Sequence, residues 1–313
     1  MRKLISTNII IIMVLSMLSA CATATKVNCK TKIGVVDGMG NSVCLAAPAQ
    51  KIVSISPSAT ETLFAIGAGN HVIGRDSLSD YPEEAQSVVD IGETTGTDFI
   101  TAVVDLKPDL VVAGDEITID QVAELQARGL TVYFINYPKD FEGLYQTIRN
   151  IGSLTGKDSE ADDLVQSLAA RVIKVQTDVK KITNQPVVYL ELGATDPNNP
   201  VTSGRGTMTD LMISMTGGKN AGSSLKGNRA QISLDELIKQ NPDLILLADS
   251  GDTGIGLAQI KARPGWSEIK AVKNSQIYSV NSDLFKIAGP RLVDGLELLL
   301  RLMHPELYRS TAN

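Results

Sequence analysis

The chain is poor in the residues that carry out most enzyme chemistry and bind most structural metals. It has 313 residues, with only 2 His, 3 Cys and 1 Trp. Neither His71 nor His304 has a cysteine or carboxylate at metal-ligand spacing, and a Ser-His-Asp triad would have to use one of these two histidines. No G-x-S-x-G motif is present. The sequence therefore predicts that the protein is not an enzyme and holds no metal or cofactor.

Phosphate-binding glycine loops are also missing. Residues 67–72 (GAGNHV) resemble a dinucleotide loop, but they follow a predicted helix rather than a strand. Residues 156–159 (GKDS) and 215–220 (MTGGKN) lack the glycine spacing of a Walker motif. The chain has a net charge of -6 and no basic stripe, so we expect no nucleic-acid partner.

Long apolar runs are absent except at the start. Met1-Arg2-Lys3 precedes an apolar run at residues 9–18, which ends in Leu18-Ser19-Ala20-Cys21. This pattern predicts an export signal at residues 1–20, followed by a lipobox cysteine, Cys21, that is acylated and anchors the exported protein to a membrane. An ordinary secretory signal with an incidental cysteine is the alternative.

The two remaining cysteines flank a turn signal. Cys29 and Cys44 lie on either side of Asp37-Gly38-Met39-Gly40, and in an oxidising compartment they could close an N-terminal hairpin within residues 21–49. A tight two-residue turn would place Cys44 opposite Ile33 instead. A disulfide would then need a bulge or an irregular start, so both possibilities remain open.

One long helix is predicted in the middle of the chain. Residues 159–184 contain no glycine or proline, and their apolar residues recur at steps of four and three: Ala161, Val165, Leu168, Val172, Val175, Val179 and Ile182. Ser159 and Asp162 form a candidate capping pair. A coiled-coil dimer arm is the alternative, but only one such segment exists. We therefore expect a monomer.

Both flanks of this helix alternate short β-branched runs with helical stretches, which predicts α/β layers with mostly parallel strands. The predicted strands are 51–55, 72–74, 110–113 and 131–135 before the helix, and 187–192, 244–248 and 277–280 after it. Residues 105–116 (DLKPDLVVAGDE) recur in outline at 239–250 (KQNPDLILLADS). The fold class is therefore α/β, with two Rossmann-like lobes at 50–157 and 186–313 joined by a spanning helix at 158–185.

Residues 56–67 (SPSATETLFAIG) begin the first helix of the first lobe. Pro57 ends the preceding strand, Ser58 and Glu61 are spaced as a capping box, and Gly67 or Gly69 can end the helix in the left-handed conformation. A helix that starts at the carboxyl end of a parallel strand points free amides toward the cleft between lobes. We expect Ser56 and Ser58 to face a ligand there.

Several segments together resemble the class III periplasmic binding proteins of ABC importers. They are residues 51–85 (KIVSISPSATETLFAIGAGNHVIGRDSLSDYPEEA), the two PDL strands, the single spanning helix and residues 263–284 (RPGWSEIKAVKNSQIYSVNSDL). Residues 79–82 (SDYP) and 282–291 (SDLFKIAGPR) are most similar to the cobalamin binders. The resemblance implies a metal chelate as ligand, cobalamin or a ferric siderophore or haem, and an ABC permease with its ATPase as partners.

The resemblance also implies a set of site residues. Cobalamin binders of this kind place aromatics in loops that here contain Leu78, Thr95, Gly114 and Arg229, while Trp266 is expected to pack in the core. The candidate ligand-binding residues are Ser56, Ser58, Arg75, Tyr81, Thr95, Gly114, Tyr137, Arg205, Arg229, Asp283, Phe285 and Arg291.

The permease is expected to bind one acidic residue on each lobe. Asp235 or Glu236 matches in the second lobe, whereas Thr101 stands at the corresponding position of the first and leaves Asp98 or Glu93 as substitutes. A lipid-tethered sensor or adhesin with the same fold but no importer is the alternative of another class.

Overall fold

A computed structural model describes residues 29–30, 33–248 and 256–308. The predicted signal peptide and Cys21 lie outside the described residues. Within these residues the strands are β1 (Ile33–Val36), β2 (Ser42–Leu45), β3 (Ile52–Ile55), β4 (Val72–Arg75), β5 (Leu110–Ala113), β6 (Val132–Phe134), β7 (Val187–Glu191), β8 (Val201–Thr202), β9 (Lys219–Asn220), β10 (Ala230–Gln231), β11 (Leu244–Leu247) and β12 (Ile277–Ser279).

The helices of the described residues are α1 (Pro57–Ala65), α2 (Asp98–Leu106), α3 (Ile119–Ala127), α4 (Phe141–Thr155), α5 (Asp158–Val179), α6 (Met208–Met215), α7 (Leu234–Gln240), α8 (Leu257–Lys261), α9 (Lys270–Lys273), α10 (Asp283–Lys286) and α11 (Leu292–Met303). Short 3₁₀ turns occupy Gly69–His71, Glu83–Ser87, Trp266–Glu268 and Pro305–Tyr308.

Each lobe contains one four-stranded parallel sheet. The strand order is β4-β3-β5-β6 in the first lobe and β12-β11-β7-β9 in the second. Every residue of β3, β5 and β11 is buried, as expected when helices cover both faces of a parallel sheet. The predicted α/β fold is confirmed, and each of the seven predicted strands is present with bounds that differ by at most one residue.

The spanning helix is α5, and it joins the cores of the two lobes. Ala161, Val165, Leu168, Val172 and Val175 are buried as predicted. They belong to one hydrophobic cluster that continues into both lobes, through α1 and α4 on one side and α6 and α11 on the other. A continuous helix at this position limits lobe motion, because bending it would disrupt its hydrogen bonds.

The spanning helix starts at Asp158 as predicted, but its predicted end and its predicted N-terminal cap need correction. The helix ends at Val179 rather than at residue 184, because Lys181 and Ile182 donate to the carbonyls of Asp178 and Val179, three residues back. Lys181 also forms a 2.7 Å ion pair with Asp178, which tightens this turn. The predicted Ser159–Asp162 capping pair does not form, since Asp162 accepts from Arg149 Nε at 3.0 Å.

The internal repeat has a structural meaning. Asp109 of the first PDL motif accepts the backbone N–H groups of Gln50 and Lys51 at 3.0 and 2.9 Å, just before β3. Asp243 of the second accepts the N–H of Val187 at 2.8 Å, at the start of β7. In both lobes the aspartate therefore fixes the start of the neighbouring central strand.

The N-terminal hairpin contains the disulfide Cys29–Cys44, with the Cα atoms 5.6 Å apart. Strands β1 and β2 are antiparallel, and residues 37–41 connect them, so the turn is longer than two residues. Gly34 lies opposite Cys44 in the ladder. Cys29 reaches Cys44 from the segment before β1, which is the irregular start that a disulfide requires here.

Candidate functional site

A cavity of about 250 Å³ lies between the two lobes. Asp115 and Tyr137 line it from the first lobe, where they follow β5 and β6. The second lobe contributes Leu192, Ser203, Met208, Thr209, Asn228, Arg229, Phe285 and Lys286. The cavity therefore faces the carboxyl ends of the parallel strands, where ligands bind in sheets of this kind.

Three of the predicted ligand-binding residues line this cavity, namely Tyr137, Arg229 and Phe285. The Tyr137 hydroxyl donates to the carbonyl of Phe285 at 3.3 Å and so connects the lobes directly. Burial raises the pKa of Tyr137 to about 12, so the phenol keeps its proton and remains a donor. The cleft between the lobes is thus a small cavity with the lobes in contact.

Sequence reasoning missed the other lining residues. Asp115 is the second residue after β5 and Leu192 the first after β7, and the rule that ligands bind at the carboxyl ends of parallel strands could have identified both. Ser203, Met208 and Thr209 come from the loop and helix after β8, a two-residue strand with no sequence signature.

Ser56, Ser58 and Gly114 were predicted to bind the ligand, but they are not among the residues that line this cavity; they come together where β3 and β5 end. Ser56 Oγ lies 3.0 Å from Ser58 Oγ and donates to Glu116 Oε1 at 3.2 Å. A Cβ atom on Gly114 would lie 2.5 Å from Glu116 Oε2, so the glycine leaves room for this carboxyl group. Glu116 was not predicted, although it follows Asp115, which lines the cavity.

The predicted capping box at the start of α1 is wrong. Ser56 is the N-cap residue, and α1 has no side-chain cap. Glu61 is buried and accepts from Arg291 of the second lobe, through Nε at 2.9 Å and through Nη2. An arginine carries several N–H donors in a plane and can therefore hold one carboxylate from two positions. This ion pair joins the two lobes.

Three predicted ligand residues gather around this ion pair instead of the cavity. The Arg291 guanidinium lies 3.7 Å from the centre of the Tyr81 ring, and Asp283 Oδ2 lies 3.7 Å from Arg291 Nη2. Tyr81 and Arg291 are therefore inter-lobe contacts, and Asp283 contacts Arg291 within the second lobe. Burial raises the pKa of Glu61, although the hydrogen bond from Arg291 opposes this effect.

The structure does not bring Arg75, Thr95 or Arg205 to the cavity. The buried Arg75 side chain donates to the carbonyls of Ala85 and Asp76 and holds the loop after β4. Thr95 donates to Glu93 at an exposed position, and Arg205 donates to the carbonyl of Ser223. Their donors are used within the lobe to which each belongs.

A second buried ion pair supports the second lobe. Arg263 donates to both carboxylate oxygens of Glu191, at 2.6 and 2.8 Å, and its guanidinium lies 4.5 Å from the centre of the Trp266 ring. Trp266 is fully buried and donates to the carbonyl of Pro197. Trp266 therefore packs in the core, as predicted.

The predicted docking acids lie in the first turns of two helices. Asp98 is the first residue of α2, and Asp235 and Glu236 are in the first turn of α7. Asp98 and Asp235 are exposed, whereas Glu236 accepts from Gln240 and Lys239 of its own helix. The acids of both lobes thus precede the repeated PDL motifs.

Within residues 29–30, 33–248 and 256–308 there is no group of three His, Cys, Asp or Glu side chains arranged to hold a metal ion. In the same part of the chain, no helix has the length and apolar character needed to cross a membrane.

The two-lobed fold with a cleft at the carboxyl ends of the strands defines a class of substrate-binding proteins. The family model "Periplasmic binding protein" matches residues 52–284. The chain therefore belongs to this family, and it is an extracytoplasmic substrate-binding protein of an ABC importer rather than an enzyme. The resemblance to class III binding proteins is confirmed.

Individual relatives are similar over most of the chain. An uncharacterized ABC transporter substrate-binding lipoprotein of Bacillus subtilis, YvrC, is 31% identical over 89% of this chain and 87% of its own length. A cobalamin-binding protein of Halobacterium salinarum is 24% identical over 88% of this chain and 75% of its own. The periplasmic heme-binding protein RhuT from Roseiflexus, solved in apo form, superposes with a TM-score of 0.73 at 26% identity, over 83% of this chain and 99% of its own.

Proposed function

We propose that the protein is a lipid-anchored binding protein that captures cobalamin or another corrinoid between its lobes and delivers it to the permease and ATPase of an ABC importer. The inter-lobe cavity at the carboxyl ends of both parallel sheets is the observation that carries this proposal. The similarity to a cobalamin-binding protein along 88% of the chain supports the corrinoid as ligand.

The chemistry of the cavity fits a large, mostly uncharged ligand with polar edges. Leu192, Met208 and Phe285 provide an apolar wall in the second lobe, and Ser203 and Thr209 add hydroxyls. Ligand sites of this mixed kind usually measure roughly 300 to 1,000 Å³. A corrinoid therefore enters only when the lobes part, which breaks the Tyr137–Phe285 and Glu61–Arg291 contacts.

A ferric siderophore or haem is the second candidate ligand. Arg229 and Lys286 both line the second-lobe side of the cavity, and cations bind the carboxylate groups of such chelates well. The similarity to a heme-binding protein of Roseiflexus supports the same alternative.

Calorimetric titration of the purified chain without residues 1–21 separates these ligands. Cyanocobalamin, cobinamide, haemin and a ferric hydroxamate would be titrated in parallel. Heat with the corrinoids supports the proposal, and no heat with either corrinoid overturns it. Arg229→Ala should change the affinity for the bound chelate, whereas Arg205→Ala, which removes an arginine outside the cavity, is the matched control.

The anchor and the partner need their own tests. Incorporation of labelled palmitate into the intact chain, lost in Cys21→Ser, would support lipidation. We propose that Asp98, Asp235 and Glu236 bind the permease, with the protein acting as a monomer. Reversing the charge at both positions with Asp98→Lys and Asp235→Lys should then weaken binding to the permease without changing ligand affinity. A protein that binds a chelate but no permease would instead be a lipid-tethered sensor or adhesin.

A further inference from the structure

Three side chains form a hydrogen-bonded chain at the carboxyl ends of β3 and β5, running from Glu116 through Ser56 to Ser58. Ser56 Oγ donates to Glu116 Oε1 at 3.2 Å, and the Ser56 and Ser58 hydroxyl oxygens lie 3.0 Å apart, with either able to donate. Ser56 is buried, whereas Ser58 is only half-buried. Ser58 lies one helical turn before Glu61 in α1, and Glu61 pairs with Arg291 of the second lobe. The hydrogen-bonded chain thus links a carboxyl group to a hydroxyl on the side of α1 that faces the second lobe.

The far oxygen of the carboxyl group is confined. Glu116 Oε2 is buried and has no hydrogen-bond partner among the described residues. It packs so close to Gly114 that a Cβ atom there would lie 2.5 Å from it. A buried carboxylate oxygen without a partner disfavours the ionised form. The geometry alone therefore makes the proton on Glu116 easier to retain.

The charged groups around Glu116 also favour its protonated form. Asp115 and Asp76 are the neighbouring charges, and both are acidic. Burial raises the pKa of Glu116 to about 7, and the charges of Asp115 and Asp76 add to this effect, despite the opposing hydrogen bonds from its own backbone N–H and from Ser56. Both protonation states of Glu116 are therefore populated near neutral pH.

The protonation state of Glu116 fixes the donor-to-acceptor direction of both hydrogen bonds, because each serine has a single hydroxyl proton. When Glu116 is ionised it can only accept, so Ser56 donates to it and Ser58 must donate to Ser56. Ser58 then offers only lone pairs to a ligand. When Glu116 is protonated it can donate to Ser56, which donates to Ser58 and frees the Ser58 proton for a ligand.

We propose that Glu116 is a positioning residue that sets whether Ser58 presents a hydrogen-bond acceptor or a donor to the cleft, and so selects between ligand groups. The ionised form favours ligand groups that donate, such as the peripheral amides of a corrinoid. The protonated form favours groups that accept, such as the carboxylates of haem. This inference rests on the proposed function, namely that the cleft binds a chelate.

The first test measures the affinity for cyanocobalamin and for haemin between pH 6 and pH 8. In the wild-type protein the cyanocobalamin affinity should rise about fivefold toward pH 8, the effect of one hydrogen bond, and the haemin affinity should change the other way. Glu116→Gln, whose amide can donate or accept at any pH, and Ser58→Ala should both lose this dependence. Glu83→Gln, at an exposed acid of the same lobe, should keep it. A flat wild-type profile, or an unchanged slope in Glu116→Gln, overturns the proposal.

The second test needs no ligand. The side-chain carboxyl signal of Glu116, assigned by its loss in Glu116→Gln, would be titrated by carbon-13 NMR. Ser56→Ala should move the midpoint to higher pH by about half a unit or more, because the carboxylate loses its donor, and Ser58→Ala should move it less in the same direction. A titration midpoint that is the same in Ser56→Ala and in the wild-type protein overturns the proposal. No heat with either chelate would overturn the proposed function alone, and this titration would then decide whether Glu116 sets the direction of the hydroxyl chain.

Discussion

Glu61 and Arg291 lie 230 residues apart in the chain and form an ion pair between the two lobes, with Arg291 Nε 2.9 Å from Glu61 Oε1. The Glu61 side chain is 2% exposed and that of Arg291 14%. Glu61 Oε2 has no hydrogen-bond partner among the described residues. The pair therefore closes one side of the cleft at a considerable desolvation cost.

Removing one partner of this pair should destabilise the protein. Arg291→Met leaves a buried carboxylate without its cation and should lower the free energy of unfolding by about 3 kcal/mol at pH 8. Burial raises the pKa of Glu61, so this loss should be smaller at pH 5 than at pH 8. Urea denaturation of Arg291→Met, Glu61→Met and the double variant at both pH values measures it.

The double variant is the decisive comparison. Glu61→Met with Arg291→Met replaces both charges by apolar groups of similar volume and should recover most of the stability lost in either single variant. If the double variant instead loses the sum of the two single losses, the side chains do not act as a pair.

The same pair shows what the sequence predicts well and what it does not. The strand positions, the spanning helix and the left-handed glycine after α1 follow from local patterns, and Gly67 indeed has a φ of 73°. Glu61 satisfies the local spacing of a capping box equally well. Only the fold brings Arg291 next to it, so no local pattern could show that Glu61 pairs across the lobes.

Only some of the residues predicted from the sequence to bind the ligand line the cavity. Tyr137 and Phe285 were predicted from the resemblance to a known family, and both line the cavity, Tyr137 from the loop after β6 and Phe285 from the short helix α10. Arg75 looked equally suitable for an anionic ligand, yet its side chain folds back onto the carbonyls of Asp76 and Ala85. Side-chain direction at a strand end depends on the packing of the next loop, which sequence spacing does not report.

Reduction or removal of the disulfide should loosen the N-terminal hairpin. Cys29 and Cys44 are 15 residues apart, and a cross-link closing a loop of this length contributes about 3 kcal/mol. Val35, Val43 and Leu45 of the hairpin pack in the main core, so the loss should affect the first lobe as a whole. Thermal unfolding of Cys29→Ser/Cys44→Ser should show a lower Tm than the oxidised wild-type protein.

A reducing agent supplies the control for this prediction. It should lower the Tm of the wild-type protein toward that of the double serine variant and leave the variant unchanged. Equal Tm values for the oxidised and reduced wild-type protein would show that the hairpin is held by packing alone.

The two repeated aspartates offer a matched pair of substitutions. Asp109 and Asp243 each accept backbone N–H groups at the start of a central strand. Hydrogen bonds to a charged group contribute about 1.5 to 3 kcal/mol when buried and less when exposed. We expect Asp243→Ala, at the less exposed site, to cost about 2 kcal/mol and Asp109→Ala about 1 kcal/mol, measured by urea denaturation. Asparagine at either position keeps an acceptor and should cost less stability than alanine. Equal losses for the asparagine and alanine variants at one position would contradict the hydrogen bonds assigned there.

Glu116 should make the stability of the protein depend on pH in a definite direction. The folded pKa of about 7 lies above the value of about 4.3 for an unfolded glutamate. Between these values the folded protein keeps a proton that the unfolded chain releases, so the contribution of Glu116 to stability falls as the pH rises from about 4.3 to about 7. Glu116→Gln should therefore be close to the wild-type protein in stability at pH 4.5 and more stable by about 1 to 3 kcal/mol at pH 8.

Urea denaturation of both proteins at pH 4.5, 6 and 8 measures this difference. Glu61 also has a pKa raised by burial, but it is present in both proteins and its contribution cancels in the comparison. Asp76, whose pKa is also raised by burial, is a neighbouring charge of Glu116, so relief of its repulsion is part of the measured difference. Glu83→Gln, at an exposed glutamate of the same lobe, should follow the wild-type curve at every pH. A constant difference between Glu116→Gln and the wild-type protein across this range would mean that Glu116 titrates alike in the folded and unfolded states, which the buried, unpartnered Oε2 atom argues against.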